Sequence, residues 1–388
     1  MSMTQASNFT PIGQIINVIL FQLGGVGIMT FSTLILFVTG KKISFTDRII
    51  IRQEFHHASL KDVKTLIKNV FFLVFGMEAI GAIFLYIRWG KGMSFGKGIF
   101  QSIYHSISAF CNAGFSLFSD SLEGYRNDVW INVTMMLLIV FGGIGFIVLM
   151  EGKDFLITKL KKKKTRVSLH TKIVLSFTFF LIFLPWIVFL IVEWNLSLRT
   201  FSVTGKILYA LFQVVSARTA GFNTMNMSTI SFSSVMLLIL LMFIGASSGS
   251  TGGGIKTSTF GVIFAFLKSK ITARNSVNLF FRTLPNDLIM RAFTVVTLSF
   301  SIIFFSSFIL SLVQPEFSMR EVVFEVFSAF GTVGLSLGIT SQLNTAAIIV
   351  IILTMYIGRI GPLTLLWAFS RQKSLGRYEY LEENVMIG

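Results

Sequence analysis

The stretch SARTAGF, at Ser216–Phe222, is the part of this sequence that decides its fold. Two other stretches resemble it closely: SAFCNAGF at Ser108–Phe115 and SAFGTVGL at Ser328–Leu335. Their shared glycines are 107 and 113 residues apart, and they are Gly114, Gly221 and Gly334. A motif that returns at a nearly constant interval indicates that one structural unit is repeated along the chain.

Each of these stretches stands between two long apolar segments. A short amphipathic segment precedes each glycine, at about 97–111, 204–218 and 319–331, and none is long enough to cross a bilayer. The repeated unit is therefore a span, a half-length helix, a glycine loop and a second span. Because each unit begins and ends on the same side, the copies run parallel around an axis normal to the membrane. The sequence predicts an all-α polytopic membrane protein of parallel M1-P-M2 pore-loop repeats, pseudo-fourfold, around a central pore.

The composition agrees with a membrane protein. The 388 residues are 53% hydrophobic and 13% charged, with a mean hydropathy of +0.77. A soluble protein carries roughly twice that charged fraction. A helix needs about 20 apolar residues to cross the hydrocarbon core. We predict seven such spans, at about 12–39, 66–89, 130–150, 173–193, 231–267 (interrupted by glycine and serine), 288–313 and 342–370.

Basic residues predict the orientation of these spans. Lysine and arginine concentrate in 40–64, in 152–172 and after residue 267, so we assign these segments to the cytoplasm. The other connections carry fewer cations and mix them with acidic residues. The N-terminus is then outside and the C-terminus inside. The net charge of +16 is mainly this topology signal; it allows contact with anionic lipid and does not indicate nucleic-acid binding.

The second span of each unit carries a glycine cluster. The clusters are GGVG at Gly24–Gly27, GGIG at Gly142–Gly145, GASSG at Gly245–Gly249 and GRIG at Gly358–Gly361. Four clusters with three glycine loops predict a four-unit protein whose first unit is incomplete, its loop falling just before Met1. The predicted divisions are 1–40 (second span of repeat 1), 41–152 (repeat 2), 153–268 (repeat 3), 269–371 (repeat 4) and 372–388 (cytoplasmic tail).

The interrupted span contains GASSGSTGGGIKTS at Gly245–Ser258, which superficially resembles a phosphate-binding loop. That motif needs lysine directly after its second glycine, and here Ile255 separates Gly254 from Lys256. Apolar runs also flank the stretch on both sides, whereas a phosphate loop joins a strand to a helix of a soluble sheet. A broken apolar segment instead indicates backbone at membrane depth that lines a cavity.

The three glycine loops have the chemistry of a cation filter. Backbone carbonyls replace the water around a cation, and the C-terminal end of each half-helix adds a partial negative charge. The alternative is that these glycines only allow close helix packing. Three copies, each between a half-helix and a span, favour the filter. Neutral lining residues disfavour anions and divalent ions.

These motifs together resemble the Trk/Ktr/HKT family of K⁺ transporters, and most closely the membrane subunit of bacterial Ktr systems. The resemblance covers essentially the whole chain and rests on the filters, the glycine clusters, the broken span and GRIGPLT in the fourth unit. It implies a bacterial cytoplasmic membrane protein and no enzyme. It also implies that carbonyls bind K⁺ at Asn112, Ala113, Gly114, Phe115, Thr219, Ala220, Gly221, Phe222, Thr332, Val333, Gly334 and Leu335.

In that family the broken segment is a loop below the filter that gates permeation. The resemblance implies a gate here formed by Gly245, Ala246, Ser247, Ser248, Gly249, Ser250, Thr251, Gly252, Gly253, Gly254 and Lys256, with Arg359 beside it. An intramembrane arginine is a functional candidate by default. The alternative for Arg359 is a side chain that extends to the cytoplasmic interface, and the same alternative is stronger for Lys256.

The resemblance also implies partners. It predicts a homodimer in the lipid membrane and a cytoplasmic nucleotide-binding regulatory subunit (KtrA-like), because this chain has no G-x-G-x-x-G motif of its own. K⁺ is the predicted transported ion, with Na⁺ dependence open and no organic cofactor. The sequence does not predict selectivity between K⁺ and Na⁺. The family most often sets this selectivity in the filter loop of the first unit, which is not in this sequence. A secondary transporter of another solute and a non-transporting assembly subunit remain alternatives. We assign a packing role to His105 and a solvated face to His56 and His57.

Overall fold

The computed structural model describes residues 6–26, 63–162, 167–362 and 364. Its helices are α1 (Pro11–Val26), α2 (Val63–Trp89), α3 (Phe95–Phe110), α4 (Val129–Ile144), α5 (Phe146–Leu160), α6 (Leu169–Glu193), α7 (Val203–Ser216), α8 (Phe232–Phe243), α9 (Thr257–Ile271), α10 (Asn286–Val313), α11 (Met319–Phe330) and α12 (Thr345–Ile360). Short 3₁₀ helices lie at Ala6–Asn8, Glu123–Tyr125, Met227–Thr229 and Thr340–Gln342. A small antiparallel hairpin of β1 (Asn278–Leu279) and β2 (Arg282–Thr283) connects α9 to α10.

Three of the described helices are long and apolar enough to cross a membrane unbroken. They are α2 over Lys68–Trp89, α6 and α10, and they confirm the helices predicted at 66–89, 173–193 and 288–313. The predicted spans 12–39 and 342–370 begin as the apolar helices α1 and α12. The remaining parts of these two predicted spans lie mostly outside the described residues.

The span predicted at 130–150 is a bent pair of apolar helices in the structure, and the sequence did not predict the bend. The chain breaks at Gly145 into α4 and α5, which are bent by 103°. Gly145 has a φ of 103°, a backbone conformation that favours glycine. The backbone N–H of Phe146 then donates to the carbonyl of Gly249, 2.8 Å away. Contact with a segment about one hundred residues later therefore stabilises a bend inside an apolar run.

The predicted interruption of 231–267 is confirmed. Helix α8 ends at Phe243 and α9 begins at Thr257. We call Gly245–Thr257 the inner loop; it joins these helices and includes the first residue of α9. The two ends of the inner loop meet through a parallel bridge between Ile244 and Ile255. The chain therefore enters and leaves the inner loop at neighbouring points.

The three half-length helices are α3, α7 and α11, in the segments where the sequence predicts them. Serine precedes each, and the Ser202 and Ser318 hydroxyls accept hydrogen bonds from backbone N–H groups in the first turns of α7 and α11. Helix α3 packs on α1, α2 and α4, helix α7 on α4 and α6, and helix α11 on α8, α10 and α12. Each half-length helix thus also contacts the second span of the preceding unit. Successive units are therefore neighbours.

Glycines allow the second spans to pack directly on the half-length helices. A β-carbon on Gly142 of α4 would overlap the carbonyl oxygen of Phe110, the last residue of α3. In the same way, a β-carbon on Gly358 of α12 would overlap the carbonyl oxygen of Phe330, the last residue of α11. These two positions belong to the GGIG and GRIG clusters. Close helix packing therefore explains at least one glycine in each of them.

Candidate functional site

The three glycine loops share one backbone conformation. We number them in chain order as the first (Asn112–Phe115), second (Thr219–Phe222) and third (Thr332–Leu335) glycine loops. Their first residues have positive φ angles, which are 51° at Asn112, 77° at Thr219 and 52° at Thr332. The glycine two residues later is also left-handed, with φ of 73° at Gly114, 81° at Gly221 and 97° at Gly334. Left-handed asparagine and threonine are uncommon, so their recurrence at matching positions indicates that the surroundings impose this conformation.

A serine in each half-length helix holds the loop that comes after it. The Ser108 hydroxyl donates to the Phe115 carbonyl at 2.8 Å and accepts from the Phe115 N–H at 3.0 Å. The Ser216 hydroxyl donates to the Phe222 carbonyl. At the third glycine loop, the N–H of Gly334 donates to Ser328 Oγ, 3.2 Å away. We assigned these serines no role from the sequence, although they are the first letter of all three repeated stretches.

The three glycine loops lie side by side. A β-carbon on Gly114 would lie 3.2 Å from the Cα of Gly221, so the first and second loops touch. A β-carbon on Gly221 would overlap the carbonyl oxygen of Val333, so the second and third loops touch as well. A cavity of about 360 Å³ borders all three glycines, and Ala6 also lines it. The structure thus brings the three glycine loops together, and five of the predicted filter residues line this cavity: Gly114, Phe115, Gly221, Gly334 and Leu335.

The inner loop lies against the first residues of the three glycine loops. Thr251 Oγ1 is 2.9 Å from Asn112 Nδ2. The next inner-loop residue, Gly252, would overlap the Thr219 hydroxyl if it had a β-carbon. Gly253 has the same relationship to the Thr332 hydroxyl. Three consecutive residues of the inner loop therefore each contact a different glycine loop, and two of these contacts leave no room for a side chain.

Every polar group of Thr251 has a partner on a different part of the fold. Its hydroxyl donates to the Phe110 carbonyl at 3.0 Å and accepts from Asn112 at 2.9 Å. Its N–H donates to the carbonyl of Gly142 at 3.2 Å. Its carbonyl accepts from Nη1 of Arg359. Thr251 is almost completely buried. A buried polar group gains most when all its hydrogen bonds are made, so Thr251 fixes the position of the inner loop.

Three cationic side chains donate to carbonyls of the inner loop. The Arg359 guanidinium bonds the carbonyls of Thr251 and, on α1, Gly24. Lys256 Nζ donates to the Gly252 carbonyl at 2.8 Å. The buried Arg218 lies 3.5 Å from the Gly245 carbonyl. Arg218 was missed from the sequence, although it lies inside SARTAGF. The signal that could have found it is a single charge within an otherwise neutral repeat.

The inner loop also contacts the GGIG cluster at the end of α4. The N–H of Ser247 donates to the Gly143 carbonyl at 2.9 Å. Within the loop, Ser247 Oγ and Thr257 Oγ1 lie 2.7 Å apart. Ser248 and Ser258 form a second hydroxyl pair at 2.9 Å. The GGIG cluster therefore has a second role: the backbone carbonyls of Gly142 and Gly143 accept hydrogen bonds from the inner loop.

The remaining residues singled out in the sequence lie away from this region or outside the described chain. His105 is buried in α3, where Nδ1 lies 2.8 Å from the Gln101 carbonyl and Nε2 lies 3.0 Å from Ser116 Oγ. Its ring also stacks on Phe118, which agrees with a packing role. The His56 and His57 pair lies outside the described residues.

Comparisons with known proteins agree with one another. The chain matches the TrkH family model, described as a cation transport protein, over residues 1–378. It is 37% identical over 384 residues to Ktr system potassium uptake protein B of Bacillus subtilis, covering 98% of this chain and 84% of that protein. It is 34% identical over 393 residues to the potassium/sodium uptake protein NtpJ of Enterococcus hirae, covering 100% of this chain and 86% of that protein. The crystal structure of the potassium transporter TrkH from Vibrio parahaemolyticus superposes with a TM-score of 0.74 at 20% identity, covering 95% of this chain and 75% of that one.

Proposed function

This chain belongs to the TrkH family of cation transport proteins, and from that premise we propose that it takes up K⁺ through a selectivity filter gated by the inner loop. Uptake of potassium across the bacterial cytoplasmic membrane is the activity of the Ktr and Trk type of transporter. The proposal assigns the filter to the three glycine loops and the gate to the inner loop together with Arg359.

The observation that carries the proposal is the contact of Thr251, Gly252 and Gly253 with one glycine loop each. In this proposal, an ion passes from the cavity that borders the three glycines, through the glycine loops, to these inner-loop residues. The inner loop has small residues and no regular helix, so its movement displaces few bulky side chains, while the hydrogen bonds of Thr251 must break. In this proposal, the inner loop closes the path while it contacts Asn112, Thr219 and Thr332, and it opens the path by moving away from them.

The polar groups at the inner end of the glycine loops suit a monovalent cation. Asn112 Oδ1 and Thr219 Oγ1 are buried and have no hydrogen-bond partner in the part of the chain that the structure describes. A buried oxygen without a partner costs free energy that a passing cation offsets. Together with the carbonyls of the three loops, these oxygens supply neutral ligands that can coordinate K⁺.

Arg359 has two roles in this proposal. Its hydrogen bond to the Thr251 carbonyl stabilises the closed position of the inner loop. Its positive charge also opposes a cation that approaches the inner loop. Lys256 and Arg218 reinforce the barrier through their own contacts with inner-loop carbonyls. Opening then requires the loop to leave these donors.

The proposed assembly is a homodimer in the membrane with a cytoplasmic nucleotide-binding subunit that controls the inner loop. The support is membership of the family and the names of relatives as parts of Ktr systems. Na⁺ enters as a candidate coupled or alternative ion, because one relative is named a potassium/sodium uptake protein.

The test is K⁺ uptake by cells that lack their own uptake systems, grown on limiting K⁺. The chain is expressed with and without a cytoplasmic nucleotide-binding subunit, and cell K⁺ content is measured at matched membrane levels. We expect K⁺ content to rise, and to rise further with the cytoplasmic subunit. Uptake of a different solute, or no change in K⁺ in either arrangement, overturns the proposal.

A further inference from the structure

Glu78 is a carboxyl group near the middle of a membrane span. It lies in α2, within the apolar segment Lys68–Trp89, and only 4% of its surface is exposed. Ionisable side chains at that depth are costly, and they persist where they have partners and a role. The filter and the gate described above do not use Glu78. The sequence signal for it was available: a single acidic residue in an otherwise apolar span.

The partners of the Glu78 carboxyl come from two other elements. Gln22 of α1 donates through Nε2 to Oε2 at 3.1 Å. Cys111, directly after α3, donates through Sγ to Oε1 at 3.7 Å. The backbone carbonyl of Glu78 also accepts from the Ser106 hydroxyl at 2.6 Å. Glu78 therefore joins α2 to α1 and to the residue that precedes the first glycine loop.

These contacts continue into the gate and return to Glu78. Cys111 is followed in the chain by Asn112, which donates to Thr251 at 2.9 Å. Thr251 accepts through its carbonyl from Arg359, and Arg359 also donates to Gly24 of α1. Gly24 lies two residues after Gln22, which donates to Glu78. We call this closed series of contacts the Glu78–Arg359 ring.

Close packing fixes the dimensions of the ring. A β-carbon on Gly25 would lie 2.6 Å from Cys111 Sγ and 2.8 Å from its Cβ, so α1 touches the residue that precedes the first glycine loop without space between them. A displacement of Cys111 must therefore move α1 or Asn112. Because interiors are close-packed and transmit strain, a change at Glu78 reaches the inner loop through residues already in contact.

We propose that Glu78 is a positioning residue for the gate: its carboxyl holds Cys111 and Gln22, and the ring thereby keeps Asn112 and Arg359 aligned on Thr251. This inference rests on the proposed gating function of the inner loop. Glu78 itself does not touch the ion. At the other end of the ring, Asn112 donates to the hydroxyl of Thr251 and Arg359 donates to its carbonyl.

The first test compares Glu78→Met with Glu78→Gln by K⁺ flux into liposomes that hold the purified chain without a cytoplasmic subunit. Methionine keeps the side-chain length and removes both acceptor oxygens, whereas glutamine restores one. Glu78→Met loses the hydrogen bonds from Gln22 and from Cys111. We expect it to raise flux at least about two- to tenfold, the range for losing one hydrogen bond that favours the closed state. Glu78→Gln is expected to fall between Glu78→Met and the parent.

The matched control is Glu193→Met. Glu193 is also a fully buried carboxyl, at the end of α6, with hydrogen bonds from Ser197 and Ser231 at 2.6 Å each. None of these contacts reaches the inner loop. We expect its flux per folded molecule to equal that of the parent. An equal rise in both variants shows a general effect of losing a buried carboxyl and overturns the inference.

Coupling to Arg359 separates positioning from a merely structural role. If Glu78 acts through the ring, Glu78→Met adds little to the flux of Arg359→Ala, because the ring is already open. Independent effects multiply, and that outcome overturns the inference. Absence of K⁺ flux in both the parent and Arg359→Ala refutes the proposed function itself. A rise with Arg359→Ala and none with Glu78→Met refutes only the role of Glu78.

Cys111 offers a second route if Glu78→Met does not fold. Cys111→Ala removes the thiol that joins Glu78 to the first glycine loop, whereas Cys111→Ser keeps a donor at that position. We expect Cys111→Ala to raise flux as Glu78→Met does, and Cys111→Ser to stay nearer to the parent. Identical flux in the parent, Cys111→Ala and Cys111→Ser shows that the link carries no influence on the gate, and it overturns the inference.

Discussion

Asn112 and Thr251 are hydrogen-bonded across 139 residues of sequence, with Nδ2 of the asparagine 2.9 Å from the threonine hydroxyl. This bond joins the first glycine loop directly to the inner loop. The corresponding residues of the other two glycine loops are threonines, Thr219 and Thr332, and they face glycines instead. The asparagine side chain reaches the side chain of Thr251 and donates from its amide. The first glycine loop therefore has a side-chain hydrogen bond to the inner loop, whereas the other two loops pack on it through glycine.

We expect Thr251→Val to raise K⁺ flux in the absence of a cytoplasmic subunit. Valine keeps the shape of threonine and leaves the amide of Asn112 and the carbonyl of Phe110 without their shared partner. An unsatisfied buried group costs about 1–3 kcal/mol, and this cost falls mainly on the closed position. The measurement is flux per molecule in liposomes, relative to the parent.

The control for Thr251→Val is Ser258→Ala, which removes one hydroxyl of the pair between Ser258 and Ser248 at the end of the inner loop. This pair touches none of the three glycine loops in the described contacts. We expect Ser258→Ala to leave flux close to that of the parent. A parent-like flux in Thr251→Val contradicts the role assigned to the hydroxyl.

Arg359→Ala is expected to deregulate ion flux while leaving the protein folded. The alanine removes the hydrogen bond to the Thr251 carbonyl and the positive charge beside the inner loop. Arg359→Lys keeps the charge but not the two-pronged contact with Thr251 and Gly24, so it separates the electrostatic barrier from the hydrogen bonds. Unchanged flux in Arg359→Ala contradicts the proposed gate, and high flux in both variants assigns closure to the hydrogen bonds.

Gly221→Ser is expected to weaken the preference for K⁺ over Na⁺. Gly221 has a φ of 81°, and its β-carbon would overlap the Val333 carbonyl of the neighbouring loop. The two loops must separate, which changes the spacing of their carbonyls. Competition of Na⁺ with K⁺ uptake measures the effect.

Gly338→Ser is the control for Gly221→Ser. Gly338 has a φ of 109°, and a β-carbon there would meet nothing within 4 Å among the described residues. The substitution therefore adds backbone strain without pushing on another loop. We expect a parent-like K⁺ preference in this variant. A parent-like preference in Gly221→Ser as well removes the second glycine loop from the proposed filter.

The repeat predicted most of the helical framework, because each unit has apolar segments of characteristic length and glycines at matching positions. The bend at Gly145 was missed for a physical reason: its cause is contact with Ser248 and Gly249 of the inner loop, which hydropathy along the chain does not record. Arg218 and Glu78 were missed for a different reason. Each is a single charged residue in an apolar setting, and attention to lone charges at membrane depth would have found both.

The proposed site was predictable as a set of residue types and not as a set of contacts. Glycine and threonine in the repeated stretches indicated carbonyl ligands. The register between the inner loop and the glycine loops was not readable, since it depends on which inner-loop glycine lies against which threonine. The hydrogen bond of Asn112 to Thr251 and the packing of Gly252 on Thr219 and Gly253 on Thr332 define that register.

Gly142→Ala is expected to destabilise the fold, because its β-carbon would overlap the Phe110 carbonyl at the end of α3. Overpacking of a close contact typically costs about 1–3 kcal/mol.

Gly152→Ala is the matched control. Gly152 lies in α5, and nothing described lies within 4 Å of the added carbon. Alanine is also the better helix former by about 1 kcal/mol. Thermal unfolding in detergent should therefore show a lower Tm for Gly142→Ala and an equal or higher Tm for Gly152→Ala. Because Gly142 also supports Thr251 through its carbonyl, the folded fraction of Gly142→Ala is expected to carry raised K⁺ flux. A normal Tm for Gly142→Ala contradicts the close packing of α4 on α3.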